Sequence, residues 1–278
     1  MKIRKISMVT ICILTILMCG CSVTEPEYFG SVTKTIERNW TNDEFAWWPM
    51  NVLIKEQCLM LDGGGHEENG VFIYYVREDD ASYQFDLSER LTAHGQQDWQ
   101  NAGAFRRLED NTTFLCWYDF DIDHTRMPDL AIVEFPTEHP ENYTAQFYVL
   151  GSEDSFSVSA PSCCYCLGDL IYVMWHDNQG KDRLCAIQQD KGQIEDRSEE
   201  TTLLEQYASE KSSASYVGQY CVLSENDRVT IYGADIREAN DMPPVSLALI
   251  AVEEGKILAG MYYDLTQDEM PKAVLEQF

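Results

Sequence analysis

From about residue 45 onward the chain places β-branched and aromatic residues in short runs, with turn residues between them. Short apolar runs bounded by Gly, Asn and Asp predict strands joined as hairpins. Four units stand out. The first is Val52 to Leu61, a loop at Gly63-Gly64-Gly65, and a return from Val71 to Val76. The second runs from Phe114 to Ile122 and returns from Leu130 to Phe135. The third pairs Leu170 to Trp175 with Arg183 to Gln188 around Asp177-Asn178-Gln179-Gly180. The fourth pairs Tyr220 to Leu223 with Arg228 to Tyr232, turning near Asn226-Asp227. An internal echo adds to these, because Leu184 to Ile194 lines up with Leu247 to Ile257. Each is an apolar strand, a charged turn closed by Gly192 or Gly255, and the start of a return strand. Helical patterns are few. Glu199 to Lys211 offers good helix formers with Leu203, Leu204 and Tyr207 on one side, and Thr266 to Phe278 predicts a short terminal helix.

The fold class these elements predict is all-β and mainly antiparallel. Turn centres fall near residues 65, 125, 179 and 226. A period near 50 residues with several strands per unit resembles the repeated hairpins of β-propeller blades. A β-sandwich or barrel is the alternative.

The pattern changes character at the start of the chain. Lys2, Arg4 and Lys5 precede an uncharged, mostly apolar run from Ile6 to Met18, then Cys19-Gly20-Cys21-Ser22. A basic start, a short apolar middle and small residues make a secretory signal. The apolar run partitions into the bilayer while the positive end stays on the cytoplasmic side. Leu17-Met18-Cys19-Gly20-Cys21 resembles the lipobox of bacterial lipoproteins, with Met18 where that family usually has Leu. The resemblance implies a diacylglyceryl group on Cys21, cleavage just before it, and attachment to the extracytoplasmic face of the cell membrane, with membrane lipid as a partner. Complete secretion and an uncleaved anchor are the competing readings, since Ile6 to Thr24 is long enough to span a bilayer. The expected organisation is a signal at 1–20, a tether or lead-in at 21–44, where no periodic apolar pattern appears, and a β-rich domain at 45–278.

Composition narrows the partners. The chain has 47 acidic against 20 basic residues, a formal charge of −27. Three of the basic residues lie in the leader, so 17 remain against 47 and the mature chain carries −30. Such a field repels nucleic acid phosphates and anionic lipid, and favours cations and basic partners. With Cys12 and Cys19 in the leader and Cys21 on lipid, seven cysteines remain, which cannot all pair. Several sit in apolar strand-like runs, as small buried hydrophobes do. Cys163-Cys164-Tyr165-Cys166 holds a formal Cys-x-x-Cys, but it runs straight into a strand, whereas a redox motif sits at a helix N-terminus.

Two groups of residues carry candidate chemistry. Asp119-Phe120-Asp121-Ile122-Asp123, followed by Pro128-Asp129-Leu130, alternates carboxylates that can converge on a hard cation. The segment resembles the calcium loop of integrin-type FG-GAP propeller repeats, which implies Asp119, Asp121, Asp123 and Asp129 as calcium ligands. His124 stands where that family has Gly, and the loop is two residues longer. The simpler reading is a strand turning its aspartates outward. Phe45-Ala46-Trp47-Trp48-Pro49 offers Trp47 and Trp48 as a stacking platform for a ligand such as a sugar ring, or as aromatics closing a core. No His-Glu-x-x-His, Gly-x-Ser-x-Gly, Walker or dinucleotide fingerprint is present. These features predict a non-catalytic binding module with a protein or carbohydrate ligand. A carbohydrate-active hydrolase using acidic residues, or a calcium-stabilised scaffold, is the alternative.

Overall fold

The computed structural model describes residues 27–40, 42–77, 79–92, 99–119, 130–150, 163–176, 182–213, 216–239, 241–267, 269–270 and 272–278. Cys21 and the rest of the leader lie outside them. The chain enters through α1 (Gly30–Asn39), α2 (Asp43–Trp47) and α3 (Pro49–Ile54). Then come β1 (Cys58–Met60), β2 (Gly63–Glu68), β3 (Val71–Val76), β4 (Ala81–Asp86), α4 (Ser88–Thr92) and β5 (Trp99–Arg107). They are followed by β6 (Thr112–Asp119), β7 (Leu130–Pro136), β8 (Thr144–Tyr148), β9 (Cys163–Leu167), β10 (Leu170–His176), β11 (Asp182–Gln188) and β12 (Gln193–Asp196). A long helix, α5 (Ser198–Lys211), precedes β13 (Tyr216–Glu225), β14 (Thr230–Arg237), β15 (Pro244–Glu253), β16 (Lys256–Asp264) and β17 (Val274–Gln277).

The molecule is mostly β, in antiparallel sheets. The first sheet has eight strands in the order β4-β3-β2-β5-β6-β7-β8, with β1 also paired to β5, and it curls into a half-barrel. The second has four strands, β12-β11-β10-β9, and the third is a five-strand meander from β13 to β17.

Three of the four expected hairpins form as such: β6–β7, β10–β11 and β13–β14. The echoed pair also forms, as β11–β12 and β15–β16, with Gly192 at φ 59° and Gly255 at φ 71°. That left-handed region is open to glycine without a Cβ clash.

The first unit differs. Val52 to Ile54 end a helix that Pro49 opens, since proline pre-sets the φ of a first helical turn. Gly63-Gly64-Gly65 begins strand β2, zipped to β3, and does not form a loop. The chain end is strand β17, added to the edge of β16, where a helix was expected. Among the lead-in residues, α1 buries Val32 and Ile36 behind Phe29. Only two apolar positions are used, too few to register as a period in the sequence.

Two cores result. The larger gathers α1 to α3, the second and third sheets and α5. The smaller fills the curl of the first sheet with Phe72, Phe85, Trp99, Trp117 and Phe135. Strands β6 and β7 are the wall between them. Phe114, Cys116, Leu130 and Ile132 face the larger core, and Leu115, Trp117, Ala131 and Val133 the smaller. That two-sided burial is why both strands read as unbroken apolar runs.

Candidate functional site

The two tryptophans lie at the break between two short helices. Asn42 caps α2, its side chain accepting from the Glu44 amide at 2.8 Å. The helix ends at Trp47, and Trp48 leaves helical geometry with φ −135° and ψ 61° before Pro49 starts α3. The break turns both indoles outward: Trp47 is 46% and Trp48 50% exposed. An isolated exposed indole would wander among rotamers. Trp48 is backed from beneath, and Trp47 is held through its main chain.

The tie comes from β14. The guanidinium of Arg237 stacks under Trp48, 4.9 Å from the ring centroid. Its Nη2 donates to the Trp47 carbonyl at 2.9 Å, and its Nη1 to the Met242 carbonyl at 3.2 Å. Nε and Nη2 also donate to the two oxygens of Asp235, each at 3.0 Å. The Gln219 amide adds a third donor to Asp235, at 3.2 Å. Both charged residues are buried, Arg237 at 3% and Asp235 at 0% exposure. Gly218 makes the arrangement sterically possible, because a Cβ there would stand 2.1 Å from Asp235 Oδ1 and 2.6 Å from Arg237 Nε.

A bidentate, fully desolvated pair of this kind adds little net stability, but it fixes geometry. One face of Trp48 is occupied by a planar cation, an arrangement worth about 0.5–2 kcal/mol. The other face of Trp48 is left open, and Met242, whose carbonyl the same guanidinium holds, is 46% exposed. Sequence reading finds the two tryptophans and misses Arg237, Asp235 and Met242. The signal was present: Asp235 and Arg237 are two charges at alternate positions of the otherwise apolar run Thr230 to Arg237. Two charges on one side of a strand buried on both faces must be paired.

The other expected site resolves only in part. Asp119 ends β6, half-buried and in register with Trp99. Asp121, Asp123 and Asp129 lie outside the described residues. Among the described residues no group of three His, Cys, Asp or Glu side chains is placed to hold a metal.

Cys58, Cys116, Cys164, Cys166, Cys185 and Cys221 are buried. The Cys-x-x-Cys lies in strand β9, and the Cys166 amide donates to Cys58 Sγ at 3.3 Å. Burial pushes the Cys185 thiol up to about 12, so it stays protonated and unreactive. No described helix is long and apolar enough to cross a membrane. Comparison with protein-family models, curated proteins and solved structures gives no match.

Proposed function

We propose that the mature chain, anchored by lipid on Cys21 to the extracytoplasmic face of the membrane, is a non-catalytic binding module whose contact surface is the Trp47–Trp48 face, with a saccharide as ligand. The observation that carries the reading is the Arg237–Asp235 pair: a costly buried ion pair that backs the exposed indole of Trp48 and holds the backbone of Trp47. An indole face held rigid loses little conformational entropy when a ring stacks on it. The strongly acidic surface disfavours anionic ligands, and the flat apolar face suits the C–H side of a pyranose.

The test uses the full chain in detergent with neutral oligosaccharides as probes, reading tryptophan fluorescence. Saturable quenching is expected, with affinity falling about tenfold or more in Trp48→Ala and in Trp47→Ala. Unchanged affinity in both variants, or no response from any probe, sinks the assignment. The anchor has its own test, the mass of the N-terminal peptide. A diacylglyceryl-modified Cys21 as first residue is expected; an intact Met1 leader on a soluble protein refutes it.

A further inference from the structure

The meander from β13 to β17 has a second face, covered by α5, and a cleft of about 490 Å³ opens where that helix ends. Its wall includes Lys211, Glu238, Ser246, Tyr262, Asp264 and Thr266. Register places these groups together. Ser246 pairs with Asp264 across β15 and β16, and Tyr262 lies two residues earlier on the same face of β16. The Tyr262 hydroxyl donates to Ser246 Oγ at 2.5 Å. Asp264 Oδ1 accepts from the Thr266 amide at 3.0 Å and its hydroxyl at 2.6 Å. These bonds hold the Asp264 carboxyl below its usual range. Lys211, at the end of α5, binds Glu276 at 2.6 Å and sits 5.5 Å from the Tyr207 ring centroid. The Tyr207 ring covers Gly260, two residues before Tyr262, and its buried hydroxyl has no hydrogen-bond partner among the described residues.

The cleft is therefore a preorganised polar surface. Its wall alternates an ammonium donor, carboxylate acceptors and hydroxyls that serve as either. An anion would meet Glu238 and Asp264. An apolar molecule would strip water from polar groups without replacing it. A simple amine would face the Lys211 ammonium as well as the carboxylates. Hydroxyl groups, which donate and accept at once, match the whole set.

We propose that this cleft is a second binding site, for a neutral saccharide, lined by none of the residues of the indole face. Asp264 acts in it as a fixed hydrogen-bond acceptor for sugar hydroxyls and Tyr262 as a hydroxyl partner. The site stands on its own geometry and does not depend on the Trp47–Trp48 reading.

The experiment titrates the full chain in detergent with maltotriose, cellotriose, xylotriose, mannotriose and N-acetylchitotriose, read by saturation-transfer NMR. Glucuronate and putrescine serve as anionic and cationic controls. Binding of at least one trisaccharide in the millimolar range is expected, with neither control competing. Asp264→Asn and Tyr262→Phe should each weaken it about three- to tenfold, the usual consequence of deleting one hydrogen bond. In Trp48→Ala, which disables the indole face, binding at the cleft should persist and still weaken by the same factor when Asp264→Asn is added. Both cleft variants must keep the parent melting temperature; Ser246→Ala replaces either one that does not. Four outcomes overturn the site: no trisaccharide binds at about 20 mM; binding is unaffected by the cleft variants; putrescine or glucuronate is preferred; or binding is lost only in Trp48→Ala. The last outcome leaves the indole face standing while removing the cleft, so the two assignments fail separately.

Discussion

At the scale of single residues, Asp235 and Arg237 set the sharpest expectation. Each is buried, and each is the other's main compensation. Removing one partner leaves an uncompensated charge in a low-dielectric interior, which costs about 3–5 kcal/mol. Asp235→Ala is therefore expected to lower the unfolding free energy by that order in a denaturant titration. Replacing both, as Asp235→Leu with Arg237→Met, should recover most of the loss, since hydrophobic isosteres of buried pairs are close to neutral. That double variant also removes the donors to the Trp47 and Met242 carbonyls. Its tryptophan anisotropy should fall even though stability returns. Equal loss of stability in the single and double variants would show that the pair matters for something other than charge compensation.

At the scale of elements, the sequence was most legible where local chemistry and burial agree. Hairpins β6–β7, β10–β11 and β13–β14 follow from apolar runs and polar turns, and α5 from its helix formers. It was least legible where tertiary contact overrides local preference. Three consecutive glycines open β2 because β3 supplies the whole ladder of partners. Val274 to Gln277 becomes a strand because the edge of β16 was open. Nothing within either segment announces its neighbour. The indole face was half legible: aromatic clustering marks Trp47 and Trp48, but their support comes from residues nearly 190 positions away.

Turn chemistry gives an element-scale prediction at the β5–β6 hairpin. There Arg107 donates through Nε and Nη2 to both Asp110 oxygens, at 3.0 and 2.7 Å, beside Asn111 at φ 55°. The guanidinium holds the Asp110 carboxyl below its usual range. A carboxyl depressed in the folded state contributes stability above its unfolded value, and loses it as pH falls through the folded one. Asp110→Asn should therefore lower the melting temperature near neutral pH and narrow the gap to the parent between about pH 5 and pH 2. A gap that is constant across that range would rule out this linkage.

At the scale of the whole molecule, 47 acids against 20 bases make self-repulsion the dominant long-range term. Screening lengths shrink from about 30 Å at 0.01 M salt to about 8 Å at 0.15 M. Adding sodium chloride over that interval should raise the melting temperature by a few degrees. A fall would mean that local ion pairs such as Arg197–Glu225 and Lys211–Glu276 outweigh the net repulsion.

The wall formed by β6 and β7 has a consequence for how the molecule comes apart. Each of these strands lends one side to either compartment, so neither compartment can open without stripping the other's lining. Loss of order cannot stay local to one half. Heating should then give a single sharp heat-absorption peak, and the amides of Leu115 and Ile132 should exchange with solvent only through complete opening, among the slowest in the chain.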